Sequence, residues 1–471
     1  MAQMMAPLTL SSLLMDHPFG DADGLLHTAQ RTVTAGEARA AAVELASTLG
    51  SAGVRPGQAV AVRLPNGPDA VIAMTAIWLA GAVFVPINPS APPVEVSHAL
   101  TATGAAALVT ETVDPRNGNR TYPTGTAFVT WTSGTTGRPK PILHTHDGYL
   151  ELLDRVLGPL RGSGSSTRPP SPNLIPVSMA LNAGIYNALF GLRAGAPLVM
   201  MDRFRPAKFA SLVARFGIRS TVLPPAAITM LNDSELADLA PLRYVRSITA
   251  PLSPLQARRF TDRFGAFVLN SYGQAEIGEV IGWTAADAKA HPEKVGAVGR
   301  AHAGVALRIA DPSADGIGTL WVRPPTMAAG YAAGSDLADR LDADGYLDTG
   351  DLARIDEDGF VWIEGRAGDL INRGGNKVFP EQVEDVLRLS PSVADAAVVG
   401  APDPRLGEVP VAFVVDAPGA APATDPALAA LCREHLVAYK VPIAFHRVDE
   451  LPRTEVGKLR RGELAARLTG S

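Results

Sequence analysis

Short apolar runs alternating with helix-forming stretches constrain this chain more than any other feature. QAVAVRL (58–64), VFVPINP (83–89) and AALVTE (106–111) are strand-like. Between the first two lie the loop PNGPD and an apolar run from Ala70 to Val85. Strands that are apolar throughout are buried on both faces, and helices are what cover them. The order predicts α/β architecture with a largely parallel sheet. The rhythm continues with an apolar helix at about 183–193, the strand PLVM (197–200), a helix through LVARF and the strand STVLPP (220–225). Thr34 and Glu37 have the spacing of a capping box, so the Ala/Leu-rich stretch after them reads as a helix ending near Gly50. The Ala70–Val85 run contains Thr75 and Gly81. It falls short of the ~20 residues that span a bilayer and reads as a buried helix entering a buried strand.

From about residue 295 the texture changes to short β-like pieces, VALRIAD, GTLWVR and FVWIEGR, separated by turns such as DADGY and DEDG. Past Gly365-Arg366-Ala367-Gly368-Asp369 it changes again: EQVEDVLRL is helical, and VADAAVVGA and VPVAFVVDA are strands. Asp425-Pro426 reads as the cap and first position of the helix ALAALCREHL. The expectation is a body over 1–365, α/β layers with a small β-rich subdomain, followed by a small α+β cap over 366–471. A net charge of −5 and a pI near 6.0 argue against nucleic acid as a partner. One cysteine, Cys432, fits a reducing cytoplasm and no disulfide framework. The first twenty residues lack a basic region, so no signal peptide and a cytoplasmic location are expected.

Four segments carry chemistry. In TSGTTGRPK (132–140), Thr132, Ser133, Thr135 and Thr136 offer hydroxyls, and Gly134 and Gly137 free the backbone to form an anion nest. Lys140 closes the segment without the Lys-Ser or Lys-Thr of a Walker loop, and an ordinary polar turn is the competing reading. In NSYGQAEIG (270–278), an aromatic beside glycine can stack on a base and Glu276 can hold a phosphate-bound magnesium ion. Alone, a strand end with a solvated glutamate explains that segment equally well. Asp348, Asp351 and Arg366, in GYLDTGDLARIDEDGFVWIEGR, can hold a sugar diol, although Asp and Gly are also turn formers. Lys458, in LPRTEVGKLRRGEL, precedes an amphipathic basic helix, where a lone lysine is ordinarily a solvated charge.

Together and in this order, the four segments resemble the adenylate-forming superfamily of acyl-CoA synthetases, peptide-synthetase adenylation domains and luciferases. The resemblance runs over nearly the whole chain. It implies joining of a carboxylate to AMP from ATP, release of pyrophosphate, and transfer of the acyl group to a thiol. The implied cofactors are ATP, Mg²⁺ and CoA. By the resemblance, the Ser/Thr/Gly-rich loop and Lys140 cover the β- and γ-phosphates. Ala250, Ser271, Tyr272 and Gly273 line the adenosine site, Tyr272 against adenine. Asp351 and Arg366 contact ribose, and Glu276 holds Mg²⁺. Lys458 of the cap reaches the reacting carboxylate and α-phosphate. The cap is expected to be mobile, turning about Gly368 to bring Gly374 and Gly375 to the thiol tunnel.

Departures from the family pattern bear on rate and substrate. Its Tyr-Gly-x-Thr-Glu is Tyr272-Gly273-Gln274-Ala275-Glu276 here, without the threonine hydroxyl. Its Gly-Gly-Ala-Pro is Ile248-Thr249-Ala250-Pro251, with bulk where backbone approaches ligand, and Leu181 stands where many relatives carry histidine. Relatives that activate amino acids place an aspartate near Asn182 to pair with the ammonium. Met179, Asn182, Ala183, Gly184 and Ala275 form the candidate acid pocket. A pocket without a buried carboxylate disfavours an ammonium, so a carboxylic acid with an apolar or aromatic body is expected. MALN (179–182) is similar to the Met-Ala-His-Asn of aryl-acid-activating relatives, whose Asn contacts a ring hydroxyl. An acyl-CoA ligase is the preferred reading. A carrier-protein-loading adenylation enzyme and a non-catalytic adenylate-binding protein are the alternatives, with a luciferase-like oxygenase remote.

Overall fold

The computed structural model describes residues 9–132, 140–161, 170–331, 337–453 and 459–469. Two sheets form the body. In the first, parallel strands run from Gly24–His27 through Leu198–Met200, Asn173–Ile175, Ser220–Leu223 and Tyr244–Ser247 to Phe267–Gln274, with antiparallel strands at the edges. In the second, Ala107–Val109, Ala59–Val62, Val83–Pro86 and Thr126–Thr132 are parallel, and Lys140–Thr145 returns antiparallel.

The helices Ala35–Ser51, Pro68–Leu79, His146–Arg161 and Asn182–Arg193 fill the space between the sheets. Strand alternation makes this arrangement. Val60 and Val62 face the central core and Ala59 and Ala61 the outer one; Leu198 faces the central core and Val199 the opposite layer. Helix Pro68–Leu79 buries ten of its twelve residues because it has a sheet on either side and helix Ala35–Ser51 alongside. Its Trp78 donates to the Ala127 carbonyl at 2.7 Å, so the buried indole N–H is satisfied. The capping box is present: Thr34 Oγ1 accepts from Glu37 N at 3.2 Å and Glu37 Oε2 from Thr34 N at 2.8 Å.

Four antiparallel strands, Ala306–Ala310, Gly318–Arg323, Leu347–Ile355 and Val361–Arg366, make the β-rich subdomain. The C-terminal domain is a five-stranded sheet built on the long hairpin Val393–Asp403/Gly407–Asp416, with helices Pro380–Leu387 and Asp425–His435 on its core. Cys432 lies fully buried in that core, and burial pushes its thiol up to about 11, which leaves it inert. The cap of its helix is one residue earlier than the sequence pattern indicated. Thr424 Oγ1 accepts from Ala427 N, and Asp425 is the first helical residue, with Pro426 after it. Threonine reaches the third helical N–H, while the Asp425 carboxylate lies toward Arg447 at 3.8 Å. No helix among the described residues is long and apolar enough to cross a membrane.

Candidate functional site

The edge of the first sheet and the β-rich subdomain meet at Asp351. Strand Leu347–Ile355 pairs with Val361–Arg366 in a register that sets Asp351 opposite Arg366, and Arg366 Nε lies 3.0 Å from Asp351 Oδ1. Tyr272 Oη donates to Asp351 Oδ2, joined there by Gln274 Nε2 at 3.0 Å, which also reaches the Thr349 carbonyl at 2.8 Å. Burial, and then the Asp351 charge, push the Tyr272 phenol well above its ordinary value, so it stays a donor. A carboxylate has about four acceptor positions. Three are used among the described residues, which leaves one acceptor position. Gln274 occupies the variable position of the motif, and nothing in the sequence marks it as an anchor. Gly273 is glycine for a packing reason: a Cβ there would sit 2.1 Å from the Gly278 carbonyl across the turn.

Glu276 follows directly and is 8% exposed. Its Oε1 accepts from Tyr331 Oη at 2.7 Å and Arg340 Nη1 at 3.0 Å, and Oε2 has no partner among the described residues. Arg340 is itself fixed by Gln274 and the Asp348 carbonyl. One held carboxylate with a free oxygen fits Mg²⁺, which takes one or two protein carboxylates and completes its shell with phosphates and water. No group of three or more acidic, His or Cys side chains that could cage a metal occurs among the described residues. Tyr331 and Arg340 were not legible as site residues. They are distant in sequence and carry no motif.

The Ser/Thr/Gly-rich segment 132–140 is described only at its two ends. Thr132 and Lys140 pair across the hairpin; Ser133, Gly134, Thr135, Thr136 and Gly137 lie outside the described residues, as does Lys458. Ser271 Oγ donates to the Ser247 carbonyl at 3.2 Å beside the loop that carries Ala250. In that loop Thr249 has φ of 83°, a left-handed backbone that β-branched residues resist. Thr249→Gly is expected to raise stability by about 1 kcal/mol, the relieved strain less glycine's chain entropy. A urea midpoint that does not rise would show that the threonine side chain compensates.

Of the acid-pocket candidates, Asn182 and Ala275 line one small cavity, with Tyr149, Leu152, Ile277 and Met327. It measures about 20 Å³ in this conformation, room for one water. Met179 and Gly184 serve the helix entry instead: Met179 N donates to Asn66 Oδ1 at 2.7 Å, and a Cβ on Gly184 would lie 2.1 Å from the Ser178 carbonyl. Ala183 also lies off the cavity wall. In the C-terminal domain, Gly368 is exposed with nothing near a would-be Cβ, and its neighbour Asp369 lies 3.4 Å from Arg461. Gly374 and Gly375 form the exposed two-residue turn of a hairpin, with φ of 58° and 89°, the conformation such turns demand. The domains touch where Gln382 Nε2 donates to Glu364 Oε2 at 3.0 Å.

The fold is that of an α/β protein with a large N-terminal body and a C-terminal domain, and its site joins a buried acid held by tyrosine, glutamine and arginine to a second buried carboxylate, Glu276. The model for AMP-binding enzymes matches residues 18–124 and 117–332, and that for the AMP-binding enzyme C-terminal domain matches 382–458. The chain belongs to the AMP-binding enzyme family, within the adenylate-forming superfamily. It is 32% identical to a feruloyl-CoA synthase of Amycolatopsis, covering 90% of this chain and 91% of the relative. It is also 32% identical to a sulfoacetate–CoA ligase of Cupriavidus necator, over 89% and 90%. Among solved structures, the amide bond synthetase McbA of Marinactinospora thermotolerans superposes with a TM-score of 0.83 at 28% identity, covering 97% of this chain and 99% of that one.

Proposed function

We propose that this chain converts a carboxylic acid with an uncharged apolar or aromatic body to its CoA thioester by way of an acyl-adenylate. The activity is ATP-dependent, AMP-forming acid–CoA ligation, and it uses ATP, Mg²⁺ and CoA. The observation that carries the site assignment is the convergence of Tyr272, Gln274 and Arg366 on Asp351 beside a half-free Glu276. In the proposed roles, Asp351 and Arg366 hold the ribose, Tyr272 backs adenine and Ser271 and Ala250 complete that wall. Residues 132–137 and Lys140 grip the departing pyrophosphate. Glu276 would hold Mg²⁺, which supplies neutralisation of phosphate charge when bound. Lys458 meets the carboxylate as it closes on the α-phosphate. After adenylation, the domain beyond residue 365 turns at Gly368 and Gly374-Gly375 takes the place at the thiol.

Of the two relatives, one carries an aromatic acid in its name and the other a sulfonated one. A wall of Tyr149, Leu152, Ile277 and Met327 suits the aromatic body better. A single, inert cysteine supports a cytoplasmic setting. The test is acid-dependent pyrophosphate release across aryl and alkyl acids, followed by mass spectrometry with CoA and with a phosphopantetheinylated carrier protein. Acyl-CoA is the expected product. Carrier loading alone would replace CoA as acceptor, and silence with every acid despite ATP binding would overturn the enzyme. Ala275→Thr is expected to leave adenylation unchanged or raise it at most about 100-fold, the upper value of one hydrogen bond to a charged group. A severe loss in pyrophosphate release would show that Ala275 shapes the acid pocket rather than merely lacking a donor.

A further inference from the structure

The cavity beside Ala275 has a polarity that the nucleotide end does not explain. One face of helix His146–Arg161 forms its long wall, with Tyr149, Leu152 and Arg155 following at three-residue steps. Arg155 is 7% exposed and poorly satisfied. Nη1 reaches Glu151 Oε2 at 3.3 Å, and Nη2 reaches the carbonyls of Ile277 and Glu279 at 3.4 and 3.3 Å. Nε is buried without a partner among the described residues. A guanidinium has five N–H donors and ordinary N–H···O bonds are ~2.9–3.0 Å, so much of its capacity is unused. A buried donor left in this state calls for a ligand or an ordered water.

Asn182 supplies a second donor. The Tyr149 phenol is 3% exposed, and burial holds it well above its ordinary range, so it keeps its proton and donates to Asn182 Oδ1 at 3.1 Å. That bond fixes the amide and leaves Nδ2, which has no partner among the described residues, as its free end. Glu276, at the reacting end, is the only carboxylate on the cavity wall among the described residues. The Arg155 charge is already matched by Glu151, so an uncharged acceptor completes the site better than a second anion.

We propose that Arg155 determines specificity in the acid pocket. It selects acids whose body carries an uncharged oxygen acceptor (a hydroxyl, ether or ketone) remote from the reacting carboxylate, with Asn182, set by Tyr149, as the second donor. The proposal rests on the ligase reading above. Leu152 packs flush on Gly278, where a Cβ would meet its side chain at 2.7 Å, and its turning would admit the acid.

The test uses pyrophosphate release with cinnamic acid, its 4-hydroxy and 4-methoxy derivatives, and 4-carboxycinnamic acid. Wild type is expected to favour the oxygenated, uncharged acids at least about tenfold in kcat/KM. Arg155→Met should abolish that preference, chiefly through KM, and Arg155→Gln should restore part of it. The double variant Glu151→Gln/Arg155→Met removes both members of the pair and carries the same expectation if Arg155→Met does not fold. A preference that survives in these variants, or a wild type that favours the dicarboxylic acid, overturns the proposal and leaves the ligase reading intact. No release with any acid sinks the ligase reading and this proposal with it.

Discussion

Lys458→Ala is expected to lower acyl-AMP formation by about 10²–10³-fold, the usual cost of one transition-state donor. Thioester formation from supplied acyl-AMP should change by less than about threefold on the same scale. The asymmetry follows from charge. In the first step a carboxylate closes on a triphosphate, and negative charge gathers between two groups that repel. The described part of the cleft offers few cations there. Arg366 is held by Asp351, and Arg340 by Glu276 and the Asp348 carbonyl. A lysine delivered by the C-terminal domain is a compact charge with rotatable donors, suited to meeting that build-up only when the domain is in place. Thiol attack on a neutral acyl carbon has no such demand. Acid-dependent pyrophosphate release and CoA-dependent consumption of synthetic acyl-AMP measure the two steps separately. Equal losses in both would remove Lys458 from the role assigned to it.

The α/β layering of the body was legible because strands buried on both faces read as continuous apolar runs, and the helices carry their own start signals, as at Thr34; the division of those strands between two sheets was not. What the pattern could not separate was the two faces of each strand. Ala59-Val60-Ala61-Val62 is apolar throughout, and only tertiary packing assigns alternate residues to different cores. Motif residues held by local hairpin geometry came together: Asp351 and Arg366 face each other across one ladder, and Tyr272 reaches Asp351 from the edge of the first sheet. Their partners were not legible. Gln274, Tyr331, Arg340 and Tyr149 act through side-chain contacts between segments distant in sequence, and such contacts leave no periodicity. Two motif glycines, Gly184 and Gly273, sit in close backbone approaches, which shape the site without requiring that they touch a ligand.

The same limit hides the ionic cluster beneath the pocket, where the largest stability effect is expected. Glu279 is buried; its Oε1 is bonded by Arg246 and lies 3.1 Å from His302 Nε2, and its Oε2 accepts from Tyr186 Oη at 3.2 Å. Burial pushes the Glu279 carboxyl up, yet the Arg246 charge and the His302 bond outweigh it and hold it below its ordinary 4.5. With the folded value depressed, the contribution is present above the unfolded value and is lost as pH falls through the folded one. Glu279→Leu leaves the Arg246 guanidinium buried without its carboxylate and is expected to cost about 3–5 kcal/mol. Arg246→Met/Glu279→Leu removes both charges and should recover most of that loss, because the pair's attraction mainly offsets its own desolvation. Chemical denaturation read at the body's transition, with the C-terminal domain followed separately, distinguishes the cases. A cost under about 1 kcal/mol for Glu279→Leu, or a double variant as unstable as the sum of the singles, would show that the cluster is not an interdependent pair. Since Gly278, which lines the proposed acid cavity, precedes Glu279 on the strand Gly278–Gly282, the double variant should fold yet shift acid preference. That outcome would show that the intact pair shapes the pocket floor, while its net stability matches that of an apolar replacement.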